Sequence, residues 1–167
     1  MRIATAAVVT AGLVLAAAPV LAKDSKDFLK QAIEGDTSEI MLGQMAQLRA
    51  SSDGVREYGR ALATDHAAAK DQAIALAQKI GLKPPDTPAK KAQSAQEKLS
   101  KLEGAEFDRE FVSYMVKDHH DDIREFQEAT RANDSPDVAQ YAQMTLPKLQ
   151  QHLEMAENLD RELKTKE

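Results

Sequence analysis

The residues best equipped for chemistry are four histidines, His66, His119, His120 and His152, and one glutamate, Glu39. Residues 112–126 read V-S-Y-M-V-K-D-H-H-D-D-I-R-E-F. On a helix, His119 has Val112, Met115, Val116, Asp122, Ile123 and Phe126 at spacings of three, four and seven, and all but Asp122 are apolar. His119 therefore faces a core. His120 has Ser113, Val116, Lys117, Ile123, Arg124 and Gln127 as neighbours, so it faces outward or sits at an edge. His66 shares a stripe with Leu62, Ala69, Ala73 and Leu76, and His152 shares one with Leu149, Met155, Ala156 and Leu159. Glu39 lies between Gly35 and the Leu42-Gly43 pair on the stripe that also carries Phe28, Ala32 and Ala46. An inward imidazole needs a partner, because a buried polar group without one costs about 1–3 kcal/mol. Imidazole and carboxylate together suit a divalent ion such as Zn, Cu, Ni or Fe.

Those side chains need helices to carry them, and the composition supplies helices. Ala, Gln, Lys, Glu, Leu and Met are plentiful and β-branched runs are absent. Apolar stripes predict long helices over about 24–51, 53–81, 105–131 and 135–164. Gly81 is a C-terminal stop, and Lys83-Pro84-Pro85-Asp86-Thr87-Pro88 breaks the chain. A polar stretch at about 89–102 reads as a short exposed helix. Ser135-Pro136 reads as an N-cap and first-turn proline, and Pro147 should kink the last helix. The first and last connections are tight, so each joins an antiparallel hairpin. The middle connection, of about 24 residues, is long enough to cross a bundle. The fold class expected is all-α: a ferritin-like four-helix bundle, two hairpins joined by a long crossover with room for a short helix. An up-down bundle with one long loop is the alternative.

Height along the helices then matters. Glu39, His66, His119 and His152 each fall near the middle of a long helix. At about 1.5 Å per residue, they lie within roughly one or two turns of a common layer, whichever way each helix runs. One inward histidine alone is more often a hydrogen-bonded core residue than a ligand. Three at one height, with a carboxylate, neither satisfy one another when neutral nor tolerate one another when charged. Metal ligands are therefore expected at His66, His119, His152 and Glu39. Asp65, Asp118 and Asp122 are candidates to accept an imidazole N–H, and Asp122 doubles as a candidate ligand. The bland reading of Asp118 and Asp121 is a solvated acidic surface. The competing account of the whole layer is a metal-free set of His, Glu, Asp and water that fixes bundle register.

Residues 1–22 combine Arg2, an apolar run and the small-residue exit Val20-Leu21-Ala22, as a cleaved signal peptide does. An uncleaved anchor is the alternative, but the run is Ala-rich and the exit fits a peptidase. Cleavage after Ala22 leaves residues 23–167, 145 of the 167, as one domain with room for a real core. The expected location is periplasmic or secreted, with no membrane span left. Loss of Arg2 takes the net charge from −5 to −6. An acidic domain of this kind is a poor nucleic-acid binder. With no cysteine, disulfides, thiolate metal sites and cysteine nucleophiles are excluded.

Several motifs in order, Glu39-Ile-Met-Leu-Gly, Asp65-His66, Gly104-Ala-Glu-Phe-Asp108, Met115-Val-Lys-Asp-His119 and Leu146-Pro147-x4-His152-Leu, resemble a bacterial family of exported, ferritin-like domains catalogued as a domain of unknown function. The resemblance spans about 27–160. It implies a ferritin-like bundle and export, gives no activity, and matches His119 rather than His120 to the family's Asp-His motif. Di-iron members of the wider ferritin-like group carry Glu-x-x-His pairs. Here Ala63, Val116 and Leu149 stand three before His66, His119 and His152, so bridging carboxylates are not in place. A single-ion, histidine-rich site is the better expectation, and no organic cofactor is expected. Neither a phosphate-binding glycine loop nor a Gly-x-Ser-x-Gly elbow occurs. Met155, three after His152, keeps copper in view, although methionines at helical spacing usually fill cores. Three functions stay open: an ion-holding or stress-related module, an enzyme whose ion activates water or oxygen, and a metal-free structural or interaction module. Substrate, partners and oligomeric state are not legible.

Overall fold

In the computed structural model, residues 24–132 and 134–165 are described. The signal-peptide expectation for residues 1–22 lies outside them. Among the described residues the chain is all-helical, in five helices: α1 (Ser25–Arg49), α2 (Asp53–Lys79), α3 (Lys90–Leu99), α4 (Gly104–Ala129) and α5 (Pro136–Lys164). Helix α1 packs along α2 and α4 along α5, while α2 rests on α5 and α1 on α4. The four long helices fall within a few residues of the spans read from the stripes.

The punctuation works as the residues dictate. At the end of α2, Gly81 adopts φ +69°. There the Leu82 N–H donates to the Ala77 carbonyl at 2.8 Å and the Gly81 N–H to the Gln78 carbonyl at 3.1 Å, a paired stop that needs a left-handed residue. Pro136 opens α5 behind Ser135, but the Ser135 side chain makes no cap bond. Its carbonyl instead accepts from Val138 and Ala139. Helix α5 runs through Pro147 without ending. The tight α1–α2 link is held from α4: Asp108, itself buried, accepts from the Ser51 and Ser52 N–H groups and from the Ser51 hydroxyl at 2.6–3.0 Å. The same two helices touch backbone to backbone. A Cβ on Gly43 would stand 2.5 Å from the Gly59 carbonyl oxygen, so only glycine fits that crossing.

Helix α3 is short and mostly exposed, as expected, but it is anchored as well. Ala92 and Leu99 are buried, and the Ala89 N–H bonds the Ser38 hydroxyl at 3.0 Å. The crossover is thereby pinned against α1.

The core is in two parts. One holds Leu42, Ala46, Tyr58, Leu62, Phe111, Met115 and Ala156, and the other holds Phe28, Ile33, Ala73, Phe126, Tyr141 and Leu149. On every long helix the inward polar residue falls between the two. Glu39 lies between Ile33 and Leu42, His66 between Leu62 and Ala73, His119 between Met115 and Phe126, and His152 between Leu149 and Ala156. The layer expected from the helix midpoints therefore divides the apolar interior.

Candidate metal centre

Glu39 on α1, His66 on α2, His119 on α4 and His152 on α5 are all buried, none more than 3 % exposed. The imidazole centroids are 6.0 Å apart for His66–His119, 5.3 Å for His66–His152 and 5.5 Å for His119–His152. One ring nitrogen from each lies within 4.8 Å of the others. His120 takes no part. Its side chain is 57 % exposed and its nearest acid is Glu157, 3.6 Å away.

Each inward ring is gripped by one nitrogen. His66 Nδ1 lies 2.8 Å from both Asp36 Oδ1 and Glu39 Oε2. His119 Nδ1 lies 3.1 Å from the Met115 carbonyl, one turn back on its own helix, and 3.4 Å from Glu39 Oε1. His152 Nε2 lies 2.9 Å from Asp65 Oδ2, which also meets Lys148 Nζ at 3.3 Å. A carboxylate or carbonyl facing a ring nitrogen fixes that nitrogen as an N–H, and in a neutral ring leaves the lone pair on the other. The other three, His66 Nε2, His119 Nε2 and His152 Nδ1, are buried and have no hydrogen-bond partner.

The charges follow from the partners. Burial alone would lower the His66 pKa, but Glu39 and Asp36 outweigh it and hold the ring well above the ordinary histidine value. Burial lowers His119, and the Glu39 charge does not recover it against the positive His66. Burial likewise brings His152 down to about 4, against the pull of Asp65. One imidazole is thus charged and two are neutral near pH 7. Burial would raise the Glu39 carboxyl, yet the imidazoles, His66 first, bring it down to about 2. Burial pushes Asp36 up to about 6, despite its bond to His66.

The remaining expected residues divide. Asp65 holds His152. Asp118 is buried rather than solvated and pairs with Lys91 Nζ at 2.6 Å. Asp122 is half-buried, 3.8 Å from the same ammonium. Burial raises both carboxyls, Asp118 to about 6 and Asp122 well above the usual range, with Glu39 adding repulsion. Glu39 faces the Nδ1 atoms of two rings, His66 and His119, the same nitrogens that Asp36 and the Met115 carbonyl approach.

Sequence reasoning missed Asp36, Lys91 and the Met115 carbonyl. Asp36 had a signal: it lies three after Ile33, four after Ala32 and three before Glu39, on the inward stripe. The Tyr58-x6-Asp65-His66 and Phe111-x6-Asp118-His119 spacings match, and Tyr58 and Phe111 meet at 6.2 Å. Their aspartates nonetheless go to different partners, His152 and Lys91. A cleft bordered by Gly35, Asp36, Glu39, His66 and Asp122 encloses about 20 Å³, room for about one water.

No curated protein matches the chain. Among solved structures, it is similar to the "putative secreted protein DUF305 from Streptomyces coelicolor", with a TM-score of 0.71 at 12 % identity, over 83 % of this chain and 93 % of that one. That likeness supports the all-helical fold. The family model described as domain of unknown function DUF4142 matches residues 11–159, and the chain belongs to that family.

Proposed function

We propose that this is an exported, ferritin-like four-helix-bundle protein that holds one divalent metal ion between His66, His119 and His152. The observation that carries the reading is twofold: at each ring one nitrogen is gripped by an acceptor while the other is buried and unpartnered, and one nitrogen of each ring lies within 4.8 Å of those of the other two. Three nitrogens each about 2.0–2.1 Å from one ion sit about 3.4 Å apart. Closing from within 4.8 Å asks for small ring movements. Asp36, Glu39, Asp65 and the Met115 carbonyl orient the rings, and Glu39 supplies negative charge beside the ion rather than a fourth bond. Packing of α1 on α2 and α4 on α5, with a crossover between, supports the ferritin-like topology. Export is supported by the sequence of residues 1–22 and by the secreted description of the structural relative. Among the described residues, no helix is long and apolar enough to cross a membrane.

The depth of the centre suits an ion-holding role: the four side chains are buried and the cleft at His66 admits about one water, while the wider open groove, of about 380 Å³, meets the centre only along Asp65 and His152. A second reading has its own support. With His66 charged and the other two neutral, one water accepting from His66 Nε2 and donating to His119 Nε2 and His152 Nδ1 would satisfy all three. Metal analysis of untagged protein separates the two. One ion of Zn, Cu, Ni or Fe per chain, lost in His66→Ala and His152→Ala, is the expected result. No ion retained after incubation with each metal and dialysis would leave the water-filled layer.

A further inference from the structure

Glu39 has a second oxygen that no hydrogen bond satisfies. Its Oε1 is buried, the side chain is 1 % exposed, and the imidazole that approaches it, through His119 Nδ1, stays 3.4 Å away. Asp118 and Asp122 each offer an oxygen that lies within 4.8 Å of Glu39 and of the other. Three carboxylates so close cannot all ionise unless a cation stands among them. The fold already brings one. Lys91 Nζ is 2.6 Å from Asp118 Oδ1 and 3.8 Å from Asp122 Oδ1. Lys91 belongs to α3, and α3 is fastened to α1 through the Ala89 N–H on the Ser38 hydroxyl and through buried Ala92. The ammonium is therefore delivered to α4 by a strap anchored on the helix that carries Glu39.

We propose that Glu39, Asp118 and Asp122 form a second, oxygen-only cation position beside the three histidines, and that the Lys91 ammonium fills its outer side and so limits the centre to one metal ion. The proposal rests on the three-histidine reading for its first ion. The two positions differ in chemistry. Three imidazoles suit borderline metals such as zinc or nickel, whereas three carboxylates suit hard cations such as Mn²⁺, Mg²⁺ or Ca²⁺. The Lys91 side chain is 50 % exposed, so its head can turn into water while its stem stays on the surface. A single positive charge against three carboxylates also leaves room for a divalent competitor to gain.

The test compares native protein with Lys91→Met and Lys91→Gln, each full-length and carrying one equivalent of zinc, titrated with Mn²⁺ and followed by the electron paramagnetic resonance of free Mn²⁺. Both variants should bind one Mn²⁺ per chain at least tenfold more tightly than native protein. Adding Asp118→Asn to Lys91→Met should return the affinity to the native level. Equal Mn²⁺ affinity in all three proteins overturns the proposal, as does a gain that survives Asp118→Asn. Circular dichroism melts confirm that the variants fold. Zinc uptake is a separate readout: if native protein takes up none, the three-histidine reading fails. The Mn²⁺ comparison, run on metal-free chains, then still decides for or against the carboxylate position.

Discussion

Replacing His119 by alanine separates what the ring does for the fold from what it does for an ion. Take native protein with zinc at about 100 times its dissociation constant. Binding to the folded state alone contributes about 2.7 kcal/mol. A domain of this size gains about 3 °C in melting temperature per kcal/mol, so zinc should raise the native midpoint by about 8 °C. His119→Ala removes one of the three clustered imidazoles. If that weakens binding about 100-fold, the same zinc concentration equals the new dissociation constant, and the gain falls to about 0.4 kcal/mol, or about 1 °C. The metal-free protein responds differently. His119 is fully buried, so truncation costs about 2–5 kcal/mol in packing. It also removes an unpartnered buried Nε2 that costs about 1–3 kcal/mol, for a net loss of about 1–2 kcal/mol. The assay is a thermal melt of untagged protein at pH 7.5, with chelator and with zinc. Equal zinc-induced shifts in native protein and His119→Ala would refute the ligand role. No shift in native protein with Zn, Cu, Ni, Fe or Mn would refute the metal centre.

Three further outcomes are expected. His120→Ala should change stability by less than about 0.5 kcal/mol and leave metal uptake intact, because that ring is largely in water; loss of uptake there would show the two neighbouring histidines to be reversed. Gly43→Ala should destabilise by about 1–3 kcal/mol in chemical denaturation, since its Cβ meets the Gly59 carbonyl at 2.5 Å, whereas Gly35→Ala, with open space around it, should stabilise by about 0.5–1 kcal/mol. Zinc affinity should rise about tenfold per pH unit from pH 6 to 7.5, because a ring whose folded pKa is raised keeps its proton across that window and the ion must expel it. Three ordinary imidazoles would instead give an affinity that flattens above about pH 6.5, and a flat titration there would refute the charged His66.

The helices and the height of the polar layer were legible because both are local. Stripes at i, i+3 and i+4 mark the long helices, Gly81 and Pro84-Pro85 mark a boundary, and a mid-helix residue stays in the middle layer whichever way its helix runs. What was not legible depends on rotation and on distance in sequence. Residue type and height place Glu39 beside the histidines but do not say which ring nitrogen it faces. Local periodicity leaves α3 mostly polar, and nothing in it says that Lys91 reaches Asp118, 27 residues away and on another helix. That pairing is a property of how the crossover lies, fixed by Ala89, Ala92 and Ser38 together.

Asp36 shows what the missing residue contributes. Near pH 7 Glu39 is negative and His66 positive, and Asp36, its carboxyl raised only to about 6, is also mostly ionised. The metal-free layer therefore holds an excess of negative charge against His66, with Asp36 2.8 Å from its Nδ1. A divalent ion that expels the His66 proton brings two positive charges, and Glu39 alone would leave one of them uncompensated between two apolar cores. Glu39 and Asp36 together balance both. On this argument the two acids on α1 are not duplicates: one offsets the proton on His66, and the other supplies the further negative charge that a divalent ion needs.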